Sequence, residues 1–483
     1  METEVARPLR LKRRTGKTLP PNQSAKPKRK IGVNALVGMG LWVLLWLGYN
    51  TGPWYWQSPG FPNSITELIH GVRAFFPMLA GWIALLIIFT RLNRLYSWII
   101  DPLGLMLLYA VTGLISAALF LTDPAEGLYF GANYLAIVLV LLAIVLVADP
   151  LPDLRKVLML TWIIGTIFTL SMLGAIPFLG RAGISEVSGP VGVRAYGGAH
   201  GEIMGMASTR NTGFARYAAI SALVALPGLL RKGKLSVRAT WGTIFAASMY
   251  ALVLANGRTE TMAFVAALVL VLVAEKTKRT ANILIGIGAA IILGVRGFYS
   301  AFFLYITRTG HIDTTMSGRT ATWEEGWRIL WNSPWAGLGF QADRYFLGTH
   351  MHNAYLHVLF QSGFIGGGAI LIALLITWYY VIKYFYFRQP ADKTLIPPEI
   401  PAVLMFVTIS SLTESTFAYF SAAWLLSAPI VPYVMALRRH QQRTAHQAAL
   451  ERDLRLRLAR RRAREEQSQP EVSPEPASGG VAG

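Results

Sequence analysis

A chain of 483 residues that is 53% hydrophobic and only 14% charged, with a mean hydropathy of +0.43, fits no water-soluble protein of its size and implies a polytopic membrane protein. Its 45 Lys and Arg against 25 Asp and Glu leave a formal net charge of +20, so the informative question is where a chain that must keep charge out of hydrocarbon holds that surplus. Cysteine is absent, which excludes disulfide frameworks, thiolate metal sites and Cys nucleophiles.

Residues 1–30 carry ten basic side chains in a Pro-containing stretch without hydrophobic periodicity, and are expected to form a disordered basic tail. Ile31 to Gly48 is apolar and long enough to span a core of ~30 Å at ~1.5 Å per residue. Trp54, Tyr55 and Trp56 follow where a cleavage site would otherwise stand, so this run reads as a retained anchor. Further apolar runs lie at about 74–90, 98–121, 128–148, 157–178, 212–230, 239–256, 259–274, 281–302, 353–382, 400–419 and 421–437. The expected fold is therefore all-α, with about twelve transmembrane helices in a domain spanning 31–437.

Charge on the connections orients these helices, because short cytoplasmic loops carry the Lys and Arg excess. Every second connection is basic: Arg91 and Arg94; Arg155 and Lys156; Arg231, Lys232, Lys234 and Arg238; Lys276, Lys278 and Arg279; Lys383, Arg388 and Lys393. Both termini fall on that inner side. The alternate connections hold Asp123 and Glu126, a Gly-rich stretch from Gly180 to Asn211, the sharp turn at Asn256 and Gly257, and a large outer loop at about 303–351 before the last three helices. Within that loop Trp323, Trp327, Leu330 and Trp331 recur at helical spacing, which predicts a short amphipathic helix on the membrane surface. The end of the chain, 438–483, reads as a basic helix over Ala445 to Arg464 followed by disorder. Arg460, Arg461 and Arg462 there either meet anionic lipids of the inner leaflet or form a solvated helix.

Three polar groups stand out on the outer side, where an ionisable residue at membrane depth is a functional candidate. Asn256-Gly257-Arg258-Thr259-Glu260 sits between two apolar runs too close together for a soluble loop, so Arg258 is either a site residue or a snorkelling helix-end residue. Ser317-Gly318-Arg319-Thr320 is followed by Trp323 and by Ser333-Pro334-Trp335-Ala336-Gly337-Leu338-Gly339-Phe340; its arginine is either functional or solvated. His350-Met351-His352-Asn353 opens the run through Gly363 and Gly366, and its histidines are either catalytic or satisfied by water.

In this order and on one side, the three groups resemble the O-antigen ligase and polysaccharide polymerase superfamily, integral membrane glycosyltransferases that use glycans carried on undecaprenyl diphosphate. The motifs fall between Gly205 and Gly368. The resemblance implies two outer-face arginines and a histidine at Arg258, Arg319 and His352 as the catalytic set. Arg216, in Phe214-Ala215-Arg216-Tyr217, is a further candidate for substrate binding, with Asn353 and Trp323. A polymerase of exopolysaccharide or O-antigen type fits as well as a ligase. The implied partners are the undecaprenyl-diphosphate-linked donor, a glycan or lipid-linked acceptor, and anionic lipids at the tails, with no nucleic acid; the implied location is a bacterial inner membrane, with the site facing outward.

The residue types suit that chemistry. Expelling a diphosphate leaves an anion that a guanidinium fork can bind at two oxygens, the role read for Arg258 and Arg319. An imidazole with an unperturbed pKa near ~6.5 is a competent base for the acceptor hydroxyl, the role read for His352. With no paired carboxylate nucleophile, a single inverting displacement is expected. No metal or other cofactor is required, since the outer side has no Asp-x-Asp pair, and the spacing of His350, His352 and His357 does not align them on one helical face. A lipid or solute transporter and a non-catalytic scaffold are the alternative classes; against the transporter, the charges cluster on one side and no paired broken helices occur in symmetric halves.

Overall fold

The computed structural model describes residues 33–49, 72, 75–147, 150–179, 211–231, 233–255, 257–274, 319–385 and 396–467. Several expectations fall outside them: the basic tail 1–30, the Gly180–Arg210 connection, the run 281–302, the first part of the outer loop and the end from 468.

The described residues are all-helical, without strands. In chain order the helices are α1 (Val33–Tyr49), α2 (Phe75–Phe89), α3 (Leu92–Ile99), α4 (Pro102–Phe120), α5 (Ala125–Val147), α6 (Pro150–Leu179), α7 (Asn211–Leu230), α8 (Leu235–Ala255), α9 (Arg258–Ala274), α10 (Arg319–Leu330), α11 (Ala342–Leu347), α12 (Ala354–Phe385), α13 (Glu399–Ser410), α14 (Ala422–Ser427) and α15 (Ile430–Gln467). Six are long and apolar enough to cross a membrane, or seven if α2 and α3, bent by 108° at their junction, form one span. The chain is a polytopic membrane protein. Large apolar side chains such as Trp82, Leu119, Val253 and Leu375 face outward, as expected of a lipid-facing surface, while Trp42, Tyr109, Tyr134 and Phe406 fill the interior.

Close packing depends on small residues at the contact lines. α4 lies along α12, where a Cβ on Gly366 would overlap Thr112 Oγ1 and one on Gly113 would come within 2.6 Å of Phe340.

Two of the expected spans take another form. The run 400–419 is helical only to Ser410, and residues 411–421 form an irregular buried segment. The sequence there is Ser-Leu-Thr-Glu-Ser-Thr, and its hydroxyls compete for the backbone: Ser411 Oγ donates to Val407 O at 2.5 Å, while Ser421 Oγ accepts from Trp424 N at 3.1 Å and caps α14. The run 421–437 is divided between α14 and α15, and α15 continues without interruption into the basic tail helix, buried up to Leu437 and exposed from Gln442 to Arg461.

Candidate active site

The segment after α10 locks into a break in α12. Gly363 has φ 62° and ψ −167°, a conformation open in practice to glycine alone, and a Cβ there would overlap the Trp335 carbonyl. At that break the helical hydrogen bonds are exchanged for bonds to the incoming segment. The Phe360 and Gln361 carbonyls accept from Leu338 N at 2.9 Å and Gly339 N at 2.8 Å, while Phe364 N and Ile365 N donate to Pro334 O at 2.8 Å and Trp335 O at 3.2 Å. The Pro-Trp-Ala-Gly-Leu-Gly run is thus a backbone clasp that satisfies two carbonyls and two N–H groups at the break. Gly337 and Gly339, at φ 72° and 102°, give it its turns, and Phe340 anchors it against Tyr109 and Tyr134. Trp327, Trp331 and Trp335 gather around Phe364 and stay partly exposed, a composition that suits a membrane interface.

Three of the predicted site residues, Arg216, Arg319 and His352, converge on Glu414, from the irregular segment after α13. Glu414 Oε2 lies 2.7 Å from Arg216 Nη2, Oε1 lies 3.4 Å from Arg319 Nη2, and Oε2 lies 3.5 Å from His352 Nδ1. Arg216 also reaches Glu260 at 3.3 Å, and Arg319 Nη1 donates to Thr413 O at 2.6 Å. The two arginines differ in access: the Arg216 side chain is 10% exposed and held by two carboxylates, that of Arg319 is 28% exposed. Arg258 opens α9, and its neighbour Thr259 accepts a 3.0 Å bond from Thr413 Oγ1, so the first turn of α9 abuts the same segment. His352 has φ 49°, uncommon for a side-chain-bearing residue, in the turn before α12. Asn353 caps that helix by accepting from Leu356 N at 3.0 Å, and Trp323 Nε1 donates to Met351 O at 2.7 Å, tying α10 to the His352 turn.

A second polar cluster adjoins the first. Asp343, fully buried, takes a 2.8 Å bond from His350 Nδ1 and a 3.0 Å bond from Met351 N. Burial opposes the Asp343 charge, but His357 and His350 hold the carboxyl well below its usual range. Burial pushes His350 down to about 4 against the pull of Asp343. His350 is therefore the neutral donor to an ionised carboxylate at neutral pH. From His357 the network runs inward: Nδ1 meets Ser415 Oγ at 2.9 Å, Nε2 meets Gln361 Nε2 at 2.8 Å, and Gln361 Oε1 meets the Tyr109 hydroxyl, which lies 2.6 Å from Ala418 O.

The histidines converge more than their spacing suggested. His350 and His357 lie with ring centroids 5.2 Å apart and His350 and His352 at 4.7 Å, because residues 350–353 precede the helix and do not follow its periodicity. Asp343, His350 and His357 place one ligand-type atom each within 4.8 Å of one another. Of that set, Asp343 Oδ1 is buried without a hydrogen-bond partner, whereas the histidines are largely committed. Both His357 nitrogens already have hydrogen-bond partners and His350 Nδ1 is bound to Asp343, so coordination would break bonds that now satisfy buried groups.

Glu414 is the residue the sequence reading missed. Its signal was an acidic side chain inside an apolar run taken for a span. Asp343 and Gln361 were not singled out either, and Glu260 was noted only as the end of the Arg258 group, without a partner.

The described residues thus form an all-helical membrane bundle with an arginine, glutamate and histidine cluster. Residues 243–371 match the O-antigen ligase family, so over that stretch the chain is similar to this family of membrane glycan enzymes. The match includes Arg258, Glu260, Arg319, Asp343, His350, His352 and His357; Tyr109, Arg216 and Glu414 lie outside it. No curated protein matches the chain.

Proposed function

We propose that the protein is a membrane glycosyltransferase that transfers or polymerises undecaprenyl-diphosphate-linked glycan at the outer face of a bacterial inner membrane, without a metal and with inversion at the anomeric carbon. The observation that carries this reading is Glu414, which joins Arg216, Arg319 and His352 in one cluster next to the helix turn bearing Arg258.

The acceptor hydroxyl oxygen attacks the anomeric carbon while the bond to the diphosphate oxygen breaks and carries its electron pair to the leaving group. His352 Nδ1 faces Glu414, which leaves Nε2 to take the hydroxyl proton; the imidazolium so formed is stabilised by a carboxylate 3.5 Å away. Arg319, partly exposed, and Arg258 bind the diphosphate as its charge develops. Arg216 contributes to binding through Glu414, which it holds in place. Trp323 and Asn353 hold the His352 turn and line the approach of the glycan.

The test is the full-length protein reconstituted with lipid-linked oligosaccharide. Chains lengthened by whole repeats identify a polymerase, and one transfer to a different acceptor identifies a ligase. Translocation without bond formation, or full transfer by His352→Ala, would overturn the proposal.

A further inference from the structure

The Arg/His cluster and a cavity beside α3 and α15 lie at opposite ends of the bundle. α5 links them: Gly127, near its start, packs on the Phe340 carbonyl of the clasp, and Val145, near its end, lines the cavity. The eighteen residues between them rise about 27 Å, close to the thickness of a hydrocarbon core. The cavity therefore opens at the opposite membrane interface, the one whose connections carry Arg91, Arg94, Arg155 and Lys156.

Its volume is about 600 Å³, and its polar lining is Asn93, Arg94, Ser97, Arg439, His440 and Arg443, with Trp98 in the wall. No carboxylate lines it among the described residues. Arg439 stacks on Trp98 at 3.6 Å from the ring centroid and is neutralised from behind by Asp101 at 2.5 Å. Arg94 and Arg443 have no ion pair among the described residues and supply the cavity's surplus charge.

α3 shows what reaches this charge. It leaves α2 at 108°, and Leu92, Tyr96 and Ile99, spaced i, i+4, i+7, are exposed on one side together with Ile100. Asn93, Arg94 and Ser97 lie on the side that lines the cavity. A short helix turned across the bundle, with an apolar face outward and a basic face on a cavity, is the arrangement of an interfacial helix with acyl chains on one side and headgroups on the other. We propose that this cavity binds the phosphate-bearing headgroup of an anionic phospholipid, held by Arg94 and Arg443 with Asn93 and Ser97 as neutral donors, its acyl chains lying along Leu92, Tyr96 and Ile99. The site is separate from the exposed Arg460 and Arg461 of the tail helix, and it stands whether or not the proposed transferase reading does.

The experiment is native mass spectrometry of the full-length protein in neutral detergent, titrated in parallel with phosphatidylglycerol, phosphatidylcholine and inorganic phosphate. The protein should retain phosphatidylglycerol in preference to phosphatidylcholine. The double variant Arg94→Gln, Arg443→Gln should lose retention by roughly thirty-fold, from about fivefold per arginine near an anionic surface. The tail control Arg460→Gln, Arg461→Gln should retain it unchanged. Arg443→Glu, at an exposed position, decides the matter if the double variant does not stay monodisperse, and should weaken binding at least as much as one neutralised arginine. Equal retention by the cavity variants and the parent, or equal loss in the tail control, would overturn the site. Inorganic phosphate displacing the lipid at equal concentration would overturn the assignment to a lipid.

Discussion

Glu414 Oε2 lies 3.5 Å from Nδ1 of His352, a residue whose φ of 49° is held by the bonds on either side of it, from Trp323 to Met351 and from Leu356 to Asn353. In the proposed mechanism this carboxylate orients the base and receives the charge the base acquires. Glu414→Gln keeps the size of the side chain and removes the charge. It should lower glycan transfer on the order of 10²-fold, within the range for losing acid–base assistance, while membrane insertion is kept. Transfer assays on reconstituted variant and parent measure this, and an unchanged rate would leave Glu414 a purely structural anchor.

The two arginines on Glu414 should separate in stability and activity. Arg216 is buried between two carboxylates, so Arg216→Met removes the buried counter-ion shared by Glu260 and Glu414, leaving Glu414 only Arg319 and His352, and should cost about 3–5 kcal/mol, read as a large drop in the thermal midpoint of the purified protein. Arg319 is partly exposed, and Arg319→Gln should leave that midpoint within a few degrees. Its transfer rate should nevertheless fall by about 10²–10³-fold, the loss expected when one preorganised donor to a developing anion is removed.

The sequence carried the polytopic membrane class of the protein and pointed to Arg319 and His352, which the structure brings to one carboxylate, because hydropathy, loop charge and motif order are local properties of the chain. It did not carry the groups that connect them. Glu414 lies 62 positions beyond His352, within a run whose average hydropathy hides one acid among Ser and Thr, and its partners are set by tertiary contact alone. The histidines were misjudged for a related reason. Helical spacing was applied to residues 350–353, whose backbone is not helical, and a single positive φ was enough to bring their rings together.

Gly363 gives a backbone prediction. Gly363→Ala places a Cβ against the Trp335 carbonyl at a φ and ψ that cost about 1–3 kcal/mol for a side-chain-bearing residue, before any steric overlap is counted. The clasp of residues 334–339 should detach, exposing the Trp331 to Phe340 segment to limited proteolysis in the folded protein. Proteolysis at the parent's rate would show that the clasp does not depend on this glycine.

His350 sets the last expectation, on pH. Burial lowers it to about 4 in the folded protein, while in the unfolded chain a histidine titrates near ~6.5. Between those values the unfolded state binds a proton that the folded state refuses, so stability falls as pH is lowered through the window. Nothing is lost above ~6.5, and the loss reaches roughly 3 kcal/mol once pH has fallen past about 4. Asp343 acts in the same direction only at lower pH. Held well below its usual range, it contributes stability above the ordinary carboxylate range and loses it as pH falls through its own depressed value. The two are therefore separable by comparing thermal midpoints of parent and His350→Gln at pH 7.5, 6 and 5. The parent should lose stability stepwise over this interval and the variant should change much less; parallel slopes would assign the loss to another group.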